Sequence, residues 1–219
     1  MNPISQIYYL LFYQPLFRLL SFFYLYLKDF GLSIIFLTFF VRLILFPFSL
    51  HSFKTQQKLK KIQAELEKIK KYPKKEKVEK MVELYQKEKI NPFLNFLPLF
   101  FQFPILVALY QLFLREIKNL SFQPEFLGLL NLSHSFFLPT SIYWPTLFLV
   151  LAVCFLQFFQ TKISKEDQKT SFFQFYQYFI LFFLFLVLLK LPAAVSFYLL
   201  VNSFFSLFER SFFLKRYAT

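Results

Sequence analysis

Long apolar runs alternate with short polar joints along this chain, and the runs share one length. Residues 32–50, "LSIIFLTFFVRLILFPFSL", form a nineteen-residue stretch with a single formal charge, Arg42. A helix of that length just spans a bilayer core of roughly 30 Å. Further runs follow at about 93–114, 142–160, 172–189 and 191–208. At about 18–22 residues each, they suit membrane-spanning helices and are too long for barrel strands. Only "LKLP" separates the last two, so they form a tight helical pair. The pattern predicts an all-α polytopic membrane protein with five transmembrane helices.

Two segments depart from that pattern. In residues 1–30, Gln14, Arg18, Ser21 and Lys28 recur at steps of four, three and seven, on one helical face opposite a wall of Phe and Leu. This favours an external helix lying in the membrane interface, with a sixth span as the alternative. Pro15 falls near its start or kinks it. Residues 51–90 are charged and rich in helix formers. Leu59, Ile62, Leu66, Ile69 and Tyr72 recur at three- and four-residue steps; Pro73 interrupts, and Val78, Met81, Val82 and Tyr85 resume. Two amphipathic helices joined at a proline predict a helical hairpin outside the membrane. The chain thus divides into an interfacial segment, 1–30, and a five-helix core, 31–219, that carries the hairpin.

Charge orients this arrangement. Of 25 Lys and Arg, thirteen fall between His51 and Ile90, three between Thr161 and Ser171, and three after Glu209. Arg18, Lys28, Arg115, Lys118 and Lys190 flank the other span ends. Nineteen against five places the rich segments in the cytoplasm, the N-terminus outside and the C-terminus inside. The charge-poor loop 115–141, with Pro124 and Pro139, is then external. A net charge of +13 distributed this way argues against sequence-specific nucleic-acid binding, although a basic loop can touch ribosomal RNA. With 57% hydrophobic residues and 38 Phe, the chain is too apolar for a soluble domain. The single Cys154 excludes a disulfide framework, and no secretory signal with a small-residue cleavage site stands near the start.

Arg42 is the chemical anomaly. None of the twelve carboxylates lies inside a span. A mid-membrane Arg costs about 2.5–3.5 kcal/mol on insertion scales, and its guanidinium does not give up its proton. It is therefore expected to face water or to borrow a partner from another molecule. Thr38 and Ser49 share its helical face. Asn95 and Gln102 share a face of the second span; Gln157 and Gln160 lie in the third, and Gln174 and Gln177 in the fourth. In the fifth, Ser196, Ser203 and Ser206 form one stripe, and Tyr198 and Asn202 another. Singly, each suits interhelical hydrogen bonding worth about 0.6–2 kcal/mol. Together with Arg42 they predict a hydrated intramembrane cavity opening to the cytoplasm.

The blocks "TFFVRLILFP" and "INPFLNFLPLFFQFPILVALY" are specific in order and spacing, and "LPAAVSFYLLVNSFFSLF" follows them. Through them the chain, from about Gln14 to Phe213, resembles the YidC/Alb3 family of membrane protein insertases. The resemblance implies a five-helix core with a cytoplasmic hairpin, in a minimal version without the extra first span and large periplasmic domain of some bacterial members. It also implies a groove whose Arg matches Arg42 and whose sensitive Thr matches Thr38. The family's aromatic pair in the last span falls on Tyr198 and Leu199, so its second ring is missing here. The family's Ser-Asn appears as Asn202-Ser203, "PAG" as Pro192–Ala194, and the Pro of the fourth span is absent near Tyr178. The third-span groove residue is either Gln157 or Gln160. The groove set is therefore Arg42, Thr38, Gln102, Asn95, Gln157, Gln160, Tyr198, Asn202 and Ser203.

The expected function is insertion and folding of nascent membrane proteins in the bacterial cell membrane, with no cofactor. The expected partners are nascent membrane proteins, the ribosome, membrane lipids and, unless the protein acts alone, the Sec translocon. An enzyme is disfavoured, because neither His51 nor His134 has a carboxylate beside it at membrane depth. A small-solute transporter remains the alternative, since polar cavities also bind solutes; no internal repeat is visible to support it.

Overall fold

The computed structural model describes residues 3–69, 71–91, 97–119, 123–137, 142–164 and 171–217. The described chain is helical apart from one small β-hairpin. In order, the elements are α1 (Pro3–Tyr8), a π-helical turn (Tyr9–Tyr13), α2 (Gln14–Leu27), α3 (Phe30–Lys61), α4 (Gln63–Ile69), α5 (Lys74–Lys87) and α6 (Leu97–Asn119). There follow β1 (Glu125–Phe126), β2 (Leu130–Asn131), α7 (Trp144–Ser164), α8 (Ser171–Lys190) and α9 (Ala193–Tyr217). The residues group into two compact units, Met1–Leu43 with Gln102–Leu207, and Ile44–Phe101 with Phe208–Thr219.

Among the described residues, two helical stretches are long and apolar enough to cross a membrane: Ser5–Leu27 and Phe30–Lys61. Gln102–Arg115, Trp144–Gln160 and Tyr178–Lys190 are shorter apolar helices that overlap three of the expected spans. The N-terminal segment therefore meets the length and composition of its alternative, a span. Leu10, Leu11, Phe22, Leu25 and Tyr26 point outward, while Tyr13, Leu16 and Leu20 are buried. Pro15 lies inside the continuous helical stretch Ser5–Leu27, directly after the π-helical turn, and its missing N–H removes one bond from the ladder there. The helix holding Arg42 does not end at Leu50. It runs on through Pro47 to Lys61, so the first part of the charged segment continues the same helix.

In the first unit, the joint between α2 and α3 is two residues long. Lys28 adopts a left-handed conformation (φ 53°) and its N–H donates to Tyr24 O, ending α2. Asp29 starts α3: its Oδ1 accepts from Leu32 N at 2.7 Å, an N-cap bond. Its Oδ2 accepts from Leu127 N at 2.6 Å, in the hairpin turn almost a hundred residues away. The charge-poor loop is thus a built element. β1 and β2 pair antiparallel, with Leu127 (φ 53°) and Gly128 (φ 66°) making the left-handed turn. The Tyr24 hydroxyl accepts from Gln123 N, and Phe136 N donates to Leu189 O at the end of α8. Leu132 O and His134 O accept from Ala194 N and Ala193 N, each at 2.8 Å. The first amides of α9 are therefore capped by loop carbonyls. Pro139 lies outside the described residues.

Phe126 fixes this loop from inside. Its ring lies 4.9 Å from that of Phe197 on α9, and its side chain fills the space above Gly31 on α3. Residues 192–199 are all buried behind it.

In the second unit, Ile62, Leu84 and Ile90 form a small core, with Leu59, Leu66, Ile69 and Tyr85 packed around them. The expected stripe from Leu59 to Ile69 meets this core, and of the expected α5 stripe Tyr85 packs there as well, but the rest is displaced. Val78 and Val82 are exposed, and Leu84 and Ile90 take their place. The reason is the end of α5. Lys89 turns left-handed (φ 50°), its N–H donates to Gln86 O, and Ile90 N donates to Tyr85 O. That pair of bonds folds Ile90 back onto the core. Tyr72 is exposed instead, with the Lys80 ammonium 3.4 Å from its ring centroid. Phe213 packs on Phe46 and Phe53, with centroids 5.3 and 5.4 Å away.

A methyl group at Gly31 would overlap Phe126 from its Cβ outward. Gly31→Ala is therefore expected to destabilise the fold by about 1–3 kcal/mol, measured as a lower thermal midpoint in detergent. The loss should shrink when Phe126 is already Ala, because the overlapping group is then gone.

Candidate functional site

The expected site residues converge on one helix, α9. Arg42, on α3, reaches Asn202. Its Nε–H donates to Asn202 Oδ1 at 2.7 Å, and Nη2–H donates to the Asn202 backbone oxygen at 2.9 Å. One turn earlier on α9, the Tyr198 hydroxyl accepts from Gln102 Nε2 of α6 at 3.2 Å. One residue later, Ser203 receives two glutamines of α7: Gln157 Nε2 donates to its Oγ at 3.1 Å, and Gln160 Nε2 to its carbonyl at 2.9 Å. Tyr198, Asn202 and Ser203 are all buried.

This corrects the expectation that Arg42 lacks an internal partner. A guanidinium needs acceptor oxygens, which amides and backbone carbonyls supply as well as carboxylates. Asn202, a neutral residue of the expected groove set, supplies both acceptors. Both third-span glutamines are engaged, on the two oxygens of one serine. The two stripes on α9 separate by neighbour, with Tyr198 and Asn202 serving α6 and α3 and Ser203 serving α7.

Other expected members stand apart. Thr38 is fully buried one turn before Arg42, but its hydroxyl donates to Ile34 O of its own helix at 2.6 Å. It spends its donor within the helix. Asn95 lies outside the described residues, as do the side chains of Gln174 and Gln177. Ser196 Oγ is buried without a hydrogen-bond partner. Around the helix from Arg42, Phe36, Phe39, Phe40 and Leu43 are exposed, an apolar surface suited to lipid tails. No group of three or more His, Cys, Asp or Glu able to hold a metal occurs among the described residues. Sequence reasoning also missed Asp29, although an Asp directly before an apolar run is a recognisable N-cap signal.

Long apolar helices bonded to one another through a buried polar cluster are the build of a helical membrane protein. The sequence model of one family, described as 60Kd inner membrane protein, matches residues 22–219, and the chain belongs to that family, the YidC/Alb3 family. It is 41% identical over 123 residues to the membrane protein insertase YidC of Buchnera aphidicola subsp. Baizongia pistaciae, covering 55% of this chain and 23% of that protein. The YidC insertase of Caulobacter vibrioides is 41% identical over 103 residues (46% and 17%), and that of Bradyrhizobium diazoefficiens 38% over 108 residues (48% and 18%). The matched stretch spans about a fifth of the length of these relatives.

The glutamine contacts separate in a double-mutant cycle. Gln157→Leu and Ser203→Ala should couple by about 0.6 kcal/mol, and by no more than about 1.7, in unfolding monitored in mixed micelles. Gln160→Leu should couple with Ser203→Ala far less, because its acceptor is the carbonyl that the substitution keeps.

Proposed function

We propose that this protein is a membrane protein insertase of the bacterial inner membrane. The observation that carries the proposal is the Arg42 guanidinium held at α9 within a cluster of hydrogen-bonded polar side chains. The insertase name of its relatives supports the same conclusion.

The cluster forms part of a hydrophilic groove in the cytoplasmic half of the bilayer. Thr38, Gln102, Asn95, Gln157, Gln160, Tyr198, Asn202 and Ser203 line it around Arg42. A polar or acidic end of a nascent chain leaves water partway into this groove. Arg42 attracts its negative charge where screening is weak. The client's apolar helix meanwhile slides along exposed Phe and Leu into lipid, driven by apolar transfer at about 25 cal/mol per Å². Insertion makes and breaks no covalent bond, so the protein needs no nucleotide or catalytic group. Five spans form the core. Residues 51–90 lie in the cytoplasm as a helical hairpin that receives clients from the ribosome, and residues 1–30 lie at the external side. Impermeant labelling of single-Cys variants after Cys154→Ser checks this topology: residue 75 should be shielded from outside intact cells.

Arg42→Lys keeps the charge and loses the planar fork. It should retain insertion of clients with acidic termini. Arg42→Ala should lose most of it, while clients without acidic residues in the translocated segment suffer less. The measurement is insertion rate per folded molecule for paired clients differing only in terminal charge. Equal losses for both clients in a well-folded Ala variant exclude attraction as the working force.

A further inference from the structure

The β1–β2 hairpin ends in two leucines that no described residue covers. Its turn holds two successive left-handed residues, Leu127 (φ 53°) and Gly128 (φ 66°), closed by a bond from Leu129 N to Phe126 O at 3.0 Å. Asn-Gly is the sequence such a turn favours, because a bulky side chain strains against a left-handed backbone. Leu127 takes on that strain and gains little packing in return, since it is 57% exposed. Leu129 is 86% exposed, more than any other large apolar side chain among the described residues. Glu125 is the only Asp, Glu, Lys or Arg between Gln123 and Phe137. A turn that faced only water would carry polar residues at its tip.

The bonds of the loop set the level of this tip. Asp29, at the start of α3, accepts from Leu127 N itself. The hydroxyl of Tyr143, directly before α7, accepts from Asn131 N at 3.0 Å. The first amides of α9 donate to Leu132 O and His134 O, and Phe136 N donates to Leu189 O at the end of α8. Helices that cross a bilayer begin and end near its interface, so four helix ends hold the hairpin at that level. Exposed Leu25 and Tyr26 lie in the last turn of α2, and exposed Trp144 begins α7. Exposed Trp and Tyr at helix ends mark the boundary between headgroups and acyl chains.

We propose that Leu127 and Leu129 form a lipid-contact site. The hairpin tip enters the boundary between headgroups and acyl chains in the leaflet where α3, α7 and α9 begin, the outer leaflet of the proposed topology. Two observations favour lipid over a protein as the occupant. The bilayer is already present at the four helix ends to which the loop is bonded. A tip of two side chains also falls far short of the area of a stable protein interface, and its side chains carry no charge or hydrogen-bonding group to select a partner. Removing the leucines from water offsets the strain of the left-handed turn. The same loop clamps the starts of α3 and α9, so the tip joins that clamp to the leaflet around it. The site rests on the chain's place in the membrane alone and holds whichever clients the protein inserts.

The test uses the full chain, with Cys154→Ser, in vesicles of phosphatidylethanolamine and phosphatidylglycerol. A nitroxide is attached at Leu129→Cys. Its collisions with oxygen, which concentrates in lipid, are compared with its collisions with a water-soluble nickel chelate. Phe155→Cys, at an exposed apolar position of α7, gives the lipid reference, and Glu79→Cys, at an exposed position of α5, gives the water reference. The oxygen-to-nickel ratio at residue 129 should be several-fold above that at residue 79 and below that at residue 155. A ratio equal to that at residue 79 places the tip in water and overturns the proposal. Shielding from both reagents overturns it too. If spin–spin broadening then grows with protein density in the vesicle, a second copy covers the tip; without broadening, another part of this chain does. The unlabelled chain gives a second measurement, free of any pull from the nitroxide. In hydroxyl-radical footprinting of the same vesicles, Leu129 should oxidise several-fold more slowly than Val78, an exposed apolar residue of α5. Equal oxidation of the two overturns the lipid contact.

Discussion

A guanidinium cannot shed its proton to enter a membrane, so its N–H groups must find oxygen wherever the helix carries them. In this protein that requirement is met across helices. Two donors of Arg42 go to Asn202, and the alignment holds only if α9 lies at a set height and rotation beside α3. The same helix takes Gln102 at Tyr198 and two glutamines at Ser203. Five interhelical bonds thus converge on α9, two of them from the half-buried cation on α3, and a shift of α9 by a fraction of a turn would strain all of them. The polar cluster is costly to bury piecemeal and mutually supporting when complete.

The position of α9 is set at its other end. Its first amides donate to the carbonyls of Leu132 and His134, and residues 192–199 are buried behind Phe126. Asp29 binds the same hairpin to the start of α3. One short loop therefore clamps the beginnings of both helices that carry the cation and its acceptor. His134 serves here through its backbone carbonyl, which is why nothing about its imidazole in the sequence marked it as important.

Much of this was legible in the residues. Runs of about 20 apolar positions located the helices, because a bilayer demands that length. A lone Arg within such a run singled out Arg42, and steps of four and seven residues put Tyr198 with Asn202, and Ser203 with Ser196, among the candidates. Pairings were not legible, since Asn202 becomes an acceptor for Arg42 only once α3 and α9 are side by side. The hairpin core was half legible. Its first stripe follows helical period, but Ile90 reaches the core through a left-handed turn at Lys89, where periodicity no longer applies. The loop at 123–137 was least legible, because its bonds are nearly all from backbone groups, which every sequence has.

The Asp29 carboxylate has a bearing on the order in which the molecule is made. Its partner, the amide of Leu127, is encoded 98 residues later. At roughly 5–20 residues per second, the ribosome needs on the order of 5–20 seconds to deliver it, and longer still to deliver α9. During that interval α3 is synthesised with Arg42 aboard and neither of its clamps in existence. The helix that holds the cation must therefore spend its first seconds in provisional company, with water or lipid headgroups standing in for the chain yet to come.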